Sequence, residues 1–132
     1  MSLRRLLYIS DAVGAVGDNL MAVVDILGAS DANNRRDHLT GVLISHQGRF
    51  LQVLEGTRAD LDRLLVRLHA DRRHRDIKIL SDKPVAGRLF GDWTMRHIPP
   101  PPDVARALER GDLGALTRLR AETLISQPQP AV

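Results

Sequence analysis

A chain of 132 residues with no cysteine, 19 Lys and Arg against 16 Asp and Glu and a formal net charge of +3 fits one domain able to bury a core without metal or disulfide help. Disulfides, thiolate metal sites and cysteine-based covalent catalysis are excluded. The N-terminal apolar run is too short for a signal peptide, and no stretch approaches the roughly 20 apolar residues of a membrane span, so a soluble cytoplasmic protein is the expectation.

The predicted elements follow in chain order. Leu3 to Ser10 is β-compatible, with Leu7 and Ile9 on one face and Leu6, Tyr8 and Ser10 on the other. After a loop containing Gly14 and Gly17, Asp18 to Ala29 places Leu20, Val23, Val24 and Leu27 at helical spacing. A polar loop, SDANNRRDH, leads to LTGVLIS and GRFLQVLEG, two strands of a hairpin turning at Gly48. Thr57 and Asp60 resemble a capping box opening a second helix, with Leu61, Leu64, Leu65 and Leu68 as its apolar stripe to about Ala70. DIKILSDKPVAGR and GDWTMRHI supply two more strands. This order predicts an α+β, ferredoxin-like fold, a mixed five-stranded sheet with two helices on one face (βαββαββ). Beyond the polyproline-like Pro99 to Pro102, Val104 to Arg110 and Leu113 to Leu124 read as a C-terminal pair of short helices broken at Gly111. Their leucines need the open sheet face or a second subunit to cover. The expected organisation is residues 1–98 as the main domain, 99–126 as a Pro-linked helical extension and 127–132 as a disordered tail.

Within this frame RFLQVLEG stands out, because Gln52 shares a strand face with Phe50 and Leu54 while Leu51, Val53 and Glu55 share the other. An amide in that setting must find partners, since leaving it unpaired costs roughly 1–3 kcal/mol. Either backbone groups or a bound ligand supply them. The basic clusters Arg4 with Arg5, Arg35 with Arg36, and the run Arg72, Arg73, His74 and Arg75 read either as solvated faces or as contacts to an anionic partner such as a phosphate-bearing cofactor. They form no concentrated stripe, and aromatics make up only 3% of the chain, which argues against nucleic acid. The five histidines show no metal-ligand spacing.

Five segments, LRRLLYIS, ANN, LTGVLISHQGRFLQVLEG, DRRH and RLFGDWTM, stand in the order found in the BLUF family of flavin-binding blue-light sensors, which the chain resembles from Leu3 to about Met95. The resemblance implies FAD as cofactor, with FMN as the alternative. It further implies that Tyr8 donates an electron to the excited flavin and that Gln52 carries the hydrogen bonds that switch, by rotation or by tautomerisation. Asn34, with Asn33 beside it, would hold the polar ring edge, and Arg67, Asp71 and His74 match positions that line the cofactor. Trp93 and Met95 match the pair on the last strand that changes surroundings on illumination. Ser10, on the Tyr8 face of the first strand, is grouped with them as a signalling residue. Where Ser45 stands the family often has an aromatic.

The resulting expectation is a photosensory binding module, not an enzyme, that signals to a separate protein effector through partner or homo-oligomer contacts, with no membrane attachment. The alternatives are a flavin-dependent redox enzyme and a light-insensitive ferredoxin-like interaction module. The sequence offers no nucleophile and base constellation for a hydrolase.

Overall fold

The computed structural model describes residues 3–12, 38–70, 74–91 and 96–125. The predicted helix from Asp18 to Ala29 lies outside them. Five strands, β1 (Leu3–Ala12), β2 (Thr40–His46), β3 (Arg49–Thr57), β4 (His74–Val85) and β5 (Arg96–His97), form one sheet in the order β4-β1-β3-β2-β5. The three inner pairings are antiparallel and only β5 runs parallel to its neighbour β2. The sheet is therefore mixed, and its connectivity is that of a split β-α-β, as the sequence predicts.

Local chemistry explains the boundaries. The hairpin between β2 and β3 turns on Gln47 and Gly48, both at positive φ (48° and 79°), the geometry whose twist matches that of the flanking strands. Helix α1 (Arg58–Ala70) opens with Thr57 Oγ1 accepting from the Asp60 amide at 3.3 Å and donating to the Asp60 carboxylate at 2.9 Å. Arg63 pairs with the same carboxylate. β1 continues two residues past the predicted end at Ser10, because Asp11 and Ala12 find partners in Arg75 and His74 of the long strand β4, and Asp11 also faces Arg49.

Each sheet face has its own core. Leu6, Tyr8 and Leu54 pack with Leu39 and with Leu61 and Leu64 of α1. On the opposite face Leu7, Ile9, Val42, Ile44, Leu51 and Val53 meet the C-terminal helices through Val104, Leu108, Leu116 and Leu124. Helix α2 (Pro102–Arg110) begins after Pro101 in a polyproline-like conformation (φ −56°, ψ 153°) and ends at Gly111, whose left-handed backbone (φ 64°, ψ 31°) lets its N–H reach the Leu108 carbonyl. What the sequence presents as one further helix to Leu124 is two, α3 (Leu113–Thr117) and α4 (Glu122–Ile125). The Thr117 hydroxyl donates back to the Leu113 carbonyl at 2.7 Å, and the turn between them brings Ala121 and Leu124 onto the sheet.

Gly41 marks the tightest backbone approach. A Cβ there would lie 3.1 Å from the Val53 carbonyl carbon and 3.2 Å from Leu54 Cα, with the Val53 oxygen closer still. Gly41→Ala is expected to lower stability by about 1–3 kcal/mol or more, since a central ladder cannot move aside as a surface side chain does. Urea denaturation checks this, and an unchanged midpoint would contradict it.

Candidate functional site

The α1-facing side of β1 and β3 carries the polar groups that the sequence singles out. In the β1–β3 register Tyr8 stands directly opposite Gln52 and Ser10 opposite Phe50, while on the other flank of β3 Gln52 faces Leu43. Opposed residues of an antiparallel pair project to the same side with Cβ atoms about 4.5–5.5 Å apart. The phenol and the amide are thus neighbours by construction. All are deeply covered, with Tyr8 and Ser10 1% exposed and Gln52 6%. Leu54 and Leu6 continue the same row and rest on Leu61 and Leu64. The arrangement is an apolar floor bearing one phenol, one amide and one hydroxyl within two register positions. That donor set suits a flat aromatic heterocycle with a hydrogen-bonding edge: the floor accepts the ring plane, and the amide offers both a donor and an acceptor.

Arg67 lies in the last turn of α1 and is half-buried. His74 is the first residue of β4, its backbone paired with Ala12. Asn33, Asn34, Asp71, Trp93 and Met95 lie outside the described residues. The structure therefore brings Tyr8, Ser10 and Gln52 together on one face. One cleft among the described residues runs past Ser10 and Asp11 to Arg49 and Gly111, and another is bounded by Arg5, Leu7, Val53 and Lys83 on the far side of the sheet.

A second polar cluster occupies that far face, and sequence reading passed it over. Glu55, wholly buried at 0% exposure, sits in one row with Arg5 on β1 and Thr40 on β2. Its Oε2 accepts from Arg5 Nε at 3.1 Å and from the Leu89 amide at 2.8 Å, and its Oε1 from Thr40 Oγ1 at 3.0 Å and from the Phe90 amide at 2.9 Å. Arg88 adds bonds to Thr40 Oγ1 at 3.0 Å and to the Glu55 carbonyl at 3.1 Å. A carboxylate on a strand of buried residues was the available signal, because such a charge persists only when it is paired and hydrogen-bonded.

The hairpin end of the sheet is joined to the C-terminal helices. Arg49 donates to the Leu108 carbonyl at 2.5 Å and lies 3.6 Å from the Asp11 carboxylate, while His46 Nε2 is 2.9 Å from Glu109 Oε1. On β5, His97 Nε2 sits 2.9 Å from Ser45 Oγ. Desolvation by the surrounding chain holds the His97 imidazole below its ordinary 6.5, so the ring is neutral near pH 7.

Comparisons with known proteins bear on this geometry. The family profile described as BLUF, sensors of blue-light using FAD, matches residues 3–96. The chain is 35% identical over 95 residues to the photoactivated adenylate cyclase subunit beta of Euglena gracilis, covering 72% of this chain and 11% of that protein. To the alpha subunit from the same organism it is 34% identical over 94 residues, covering 71% and 9%. It thus spans about a tenth of the length of these curated relatives. Among solved structures, a bacterial light-regulated adenylyl cyclase superposes with a TM-score of 0.70 at 32% identity, covering 88% of this chain and 34% of that one. BlrB, a BLUF protein in its dark state, gives 0.70 at 30% identity, covering 95% of this chain and 90% of that one.

Proposed function

Because this chain belongs to the BLUF family of flavin-binding blue-light sensors, we propose that it reports blue light through a hydrogen-bond exchange at Gln52, driven by electron and proton donation from Tyr8. The module is a sensor, not an enzyme, and among the described residues no helix is long and apolar enough to cross a membrane. The observation that carries the reading is the direct pairing of Tyr8 with Gln52 on a buried, apolar sheet face.

Flavin bound on that face supplies blue absorption and an excited state that accepts an electron. Everything else falls to the protein. Tyr8, held between β3 and β4, has a phenol able to give up an electron and then a proton. Gln52, fixed by its ladder at the backbone, has a terminal amide with two ends of opposite hydrogen-bond character. Exchanging those ends changes partners without breaking a covalent bond, and the surrounding leucines keep water from competing for them. Asn33 and Asn34 are assigned to the polar ring edge, and Arg67, Asp71 and His74 to the remainder of the cofactor. Cations among these favour a diphosphate, hence FAD over FMN.

Ser10, Trp93 and Met95 are assigned to the response, a repacking of the segment before β5 when the amide changes partners. Residues 1–98 then form the sensing unit and 99–126 an extension through which a protein effector or a second copy of the chain reads the change. We place the protein in the cytoplasm. A single experiment tests the core of this reading, the absorption spectrum of purified protein before and after blue light. A yellow protein whose flavin band moves to longer wavelength by some nanometres and returns in darkness is the expected result. A colourless protein, or steady oxidation of a nicotinamide substrate, would overturn it.

A further inference from the structure

One row of side chains sets two cations next to each other on the far face of the sheet. Lys83 of β4 stands directly opposite Arg5 of β1, which on its other flank stands opposite Glu55 of β3. Like charges opposed in this way destabilise a sheet unless an anion offsets them. Glu55 answers Arg5 alone, taking Nε and Nη2, both at 3.1 Å. Among the described residues Lys83 has no carboxylate in ion-pair contact, and Arg5 has none besides Glu55. The next row, Ser81 opposite Leu7 and Leu7 opposite Val53, leaves a cleft against the tail. Leu7 and Val53 form its floor, Arg5, Lys83 and Ser81 one wall, and Thr117, Leu119 and Ala121, from the end of α3 and the turn into α4, the other. Its cavity volume is about 30 Å³. That is room for about two water-sized groups, enough for a small oxyanion and too little for a ring or an acyl chain.

We propose that this cleft binds a small oxyanion, a phosphate or a short carboxylate, between Arg5 and Lys83, and that the bound anion fastens the turn between α3 and α4 to the sheet. The assignment does not depend on the light-sensing reading. Arg5 keeps its Nη1 hydrogens uncommitted among the described residues, Lys83 brings an ammonium on a flexible stem, and Ser81 adds a hydroxyl. Arg5 is only 8% exposed, so salt screens its charge less than it would on an open surface. The Thr117 hydroxyl is committed to the Leu113 carbonyl, and the tail side therefore contributes shape. Glu122, at the start of α4, already feels the same field: its carboxyl is held below the usual carboxylate range first by its own backbone amide, then by Arg5, Arg120 and Lys83. It is exposed and forms no part of the cleft lining, which leaves the cavity to an external acceptor.

The test titrates the purified full chain with sodium phosphate and, separately, with sodium acetate, against sodium chloride at equal ionic strength, and follows backbone amide signals by NMR. Saturable shifts at Ser81, Lys83 and Ala121 are expected with at least one of the two oxyanions and not with chloride. Phosphate acting alone identifies a phosphate site and acetate acting alone a carboxylate site. At saturation, hydrogen exchange is expected to slow at the Leu119 amide, which donates to the Leu116 carbonyl at 3.1 Å. Lys83→Gln, at an exposed position, is expected to weaken binding about tenfold, as one charge-assisted hydrogen bond is lost. Lys78→Gln removes an equal charge from the same strand outside this cleft and is expected to leave the affinity unchanged. Should Lys83→Gln fail to accumulate as folded protein, Ser81→Ala is expected to weaken binding about threefold. Shifts that never saturate, or that chloride reproduces, are screening alone and overturn the site, as does wild-type affinity in Lys83→Gln or Ser81→Ala. Saturable binding with unchanged exchange at Leu119 overturns the fastening of the turn.

Discussion

Gln52→Leu is expected to give a folded, yellow protein whose flavin band no longer moves in blue light. Leucine fills nearly the same volume and suits a face already lined by Leu54, Leu43 and Phe50, so the strand and its register should persist. Stability is expected to stay within about 1 kcal/mol of wild type, since burying an amide at 6% exposure gains little over burying an isobutyl group. What disappears is the ability to offer a donor and an acceptor from one group. Flavin affinity is expected to fall by the loss of one or two hydrogen bonds, about 5- to 100-fold, with cofactor retention measurable by equilibrium dialysis. Absorption difference spectra decide the role: a Gln52→Leu protein that still shows the wild-type red shift removes Gln52 from the switch.

Tyr8→Phe is expected to have the next largest effect. The ring packs in a cluster with Leu6, Leu39, Leu54, Leu61 and Leu64 at 1% exposure, and phenylalanine preserves that packing, so the cost in stability is about 1 kcal/mol for the lost hydroxyl. Phenylalanine cannot supply an electron and a proton in sequence, and the chain contains no other tyrosine. The expected outcome is a flavin-loaded protein with unquenched fluorescence and no long-lived red-shifted form, read by steady-state fluorescence and by spectra under blue light. Persistence of the full photocycle would exclude Tyr8 as donor and turn attention to the single tryptophan, Trp93. The two substitutions separate supply from response: one removes the electron, the other the group that reacts to its transfer.

Much of this architecture can be read from local pattern. Alternation of Phe50, Gln52 and Leu54 against Leu51, Val53 and Glu55 assigns two faces to β3, and the faces are those that α1 and the tail cover. The Gln47–Gly48 turn and the Thr57–Asp60 cap are likewise written within four residues of where they act. What escapes is long-range. Nothing near Glu55 in sequence announces that Arg5, Thr40, Leu89 and Phe90 will converge on it, because those partners come from two other strands and a loop. The division of the tail into α3 and α4 depends on where Ala121 and Leu124 meet the sheet, a tertiary demand that overrides a leucine-rich helical pattern. In the candidate site, the pairing of Tyr8 with Gln52 follows from strand order plus register. Periodicity supplies the face of each strand but not its neighbour.

The alternation of β3 has a mechanical consequence. Gln52 and Val53 are consecutive, yet one side chain stands beneath α1 with Tyr8 and the other lies among residues that touch Leu108 and Leu116. A strand rises only about 3.3 Å per residue, so a twist or slide of a single peptide unit disturbs both compartments at the same instant. No relay of side chains has to cross the sheet. In that sense the sheet works as a diaphragm, and a stroke delivered on one surface is already present on the other.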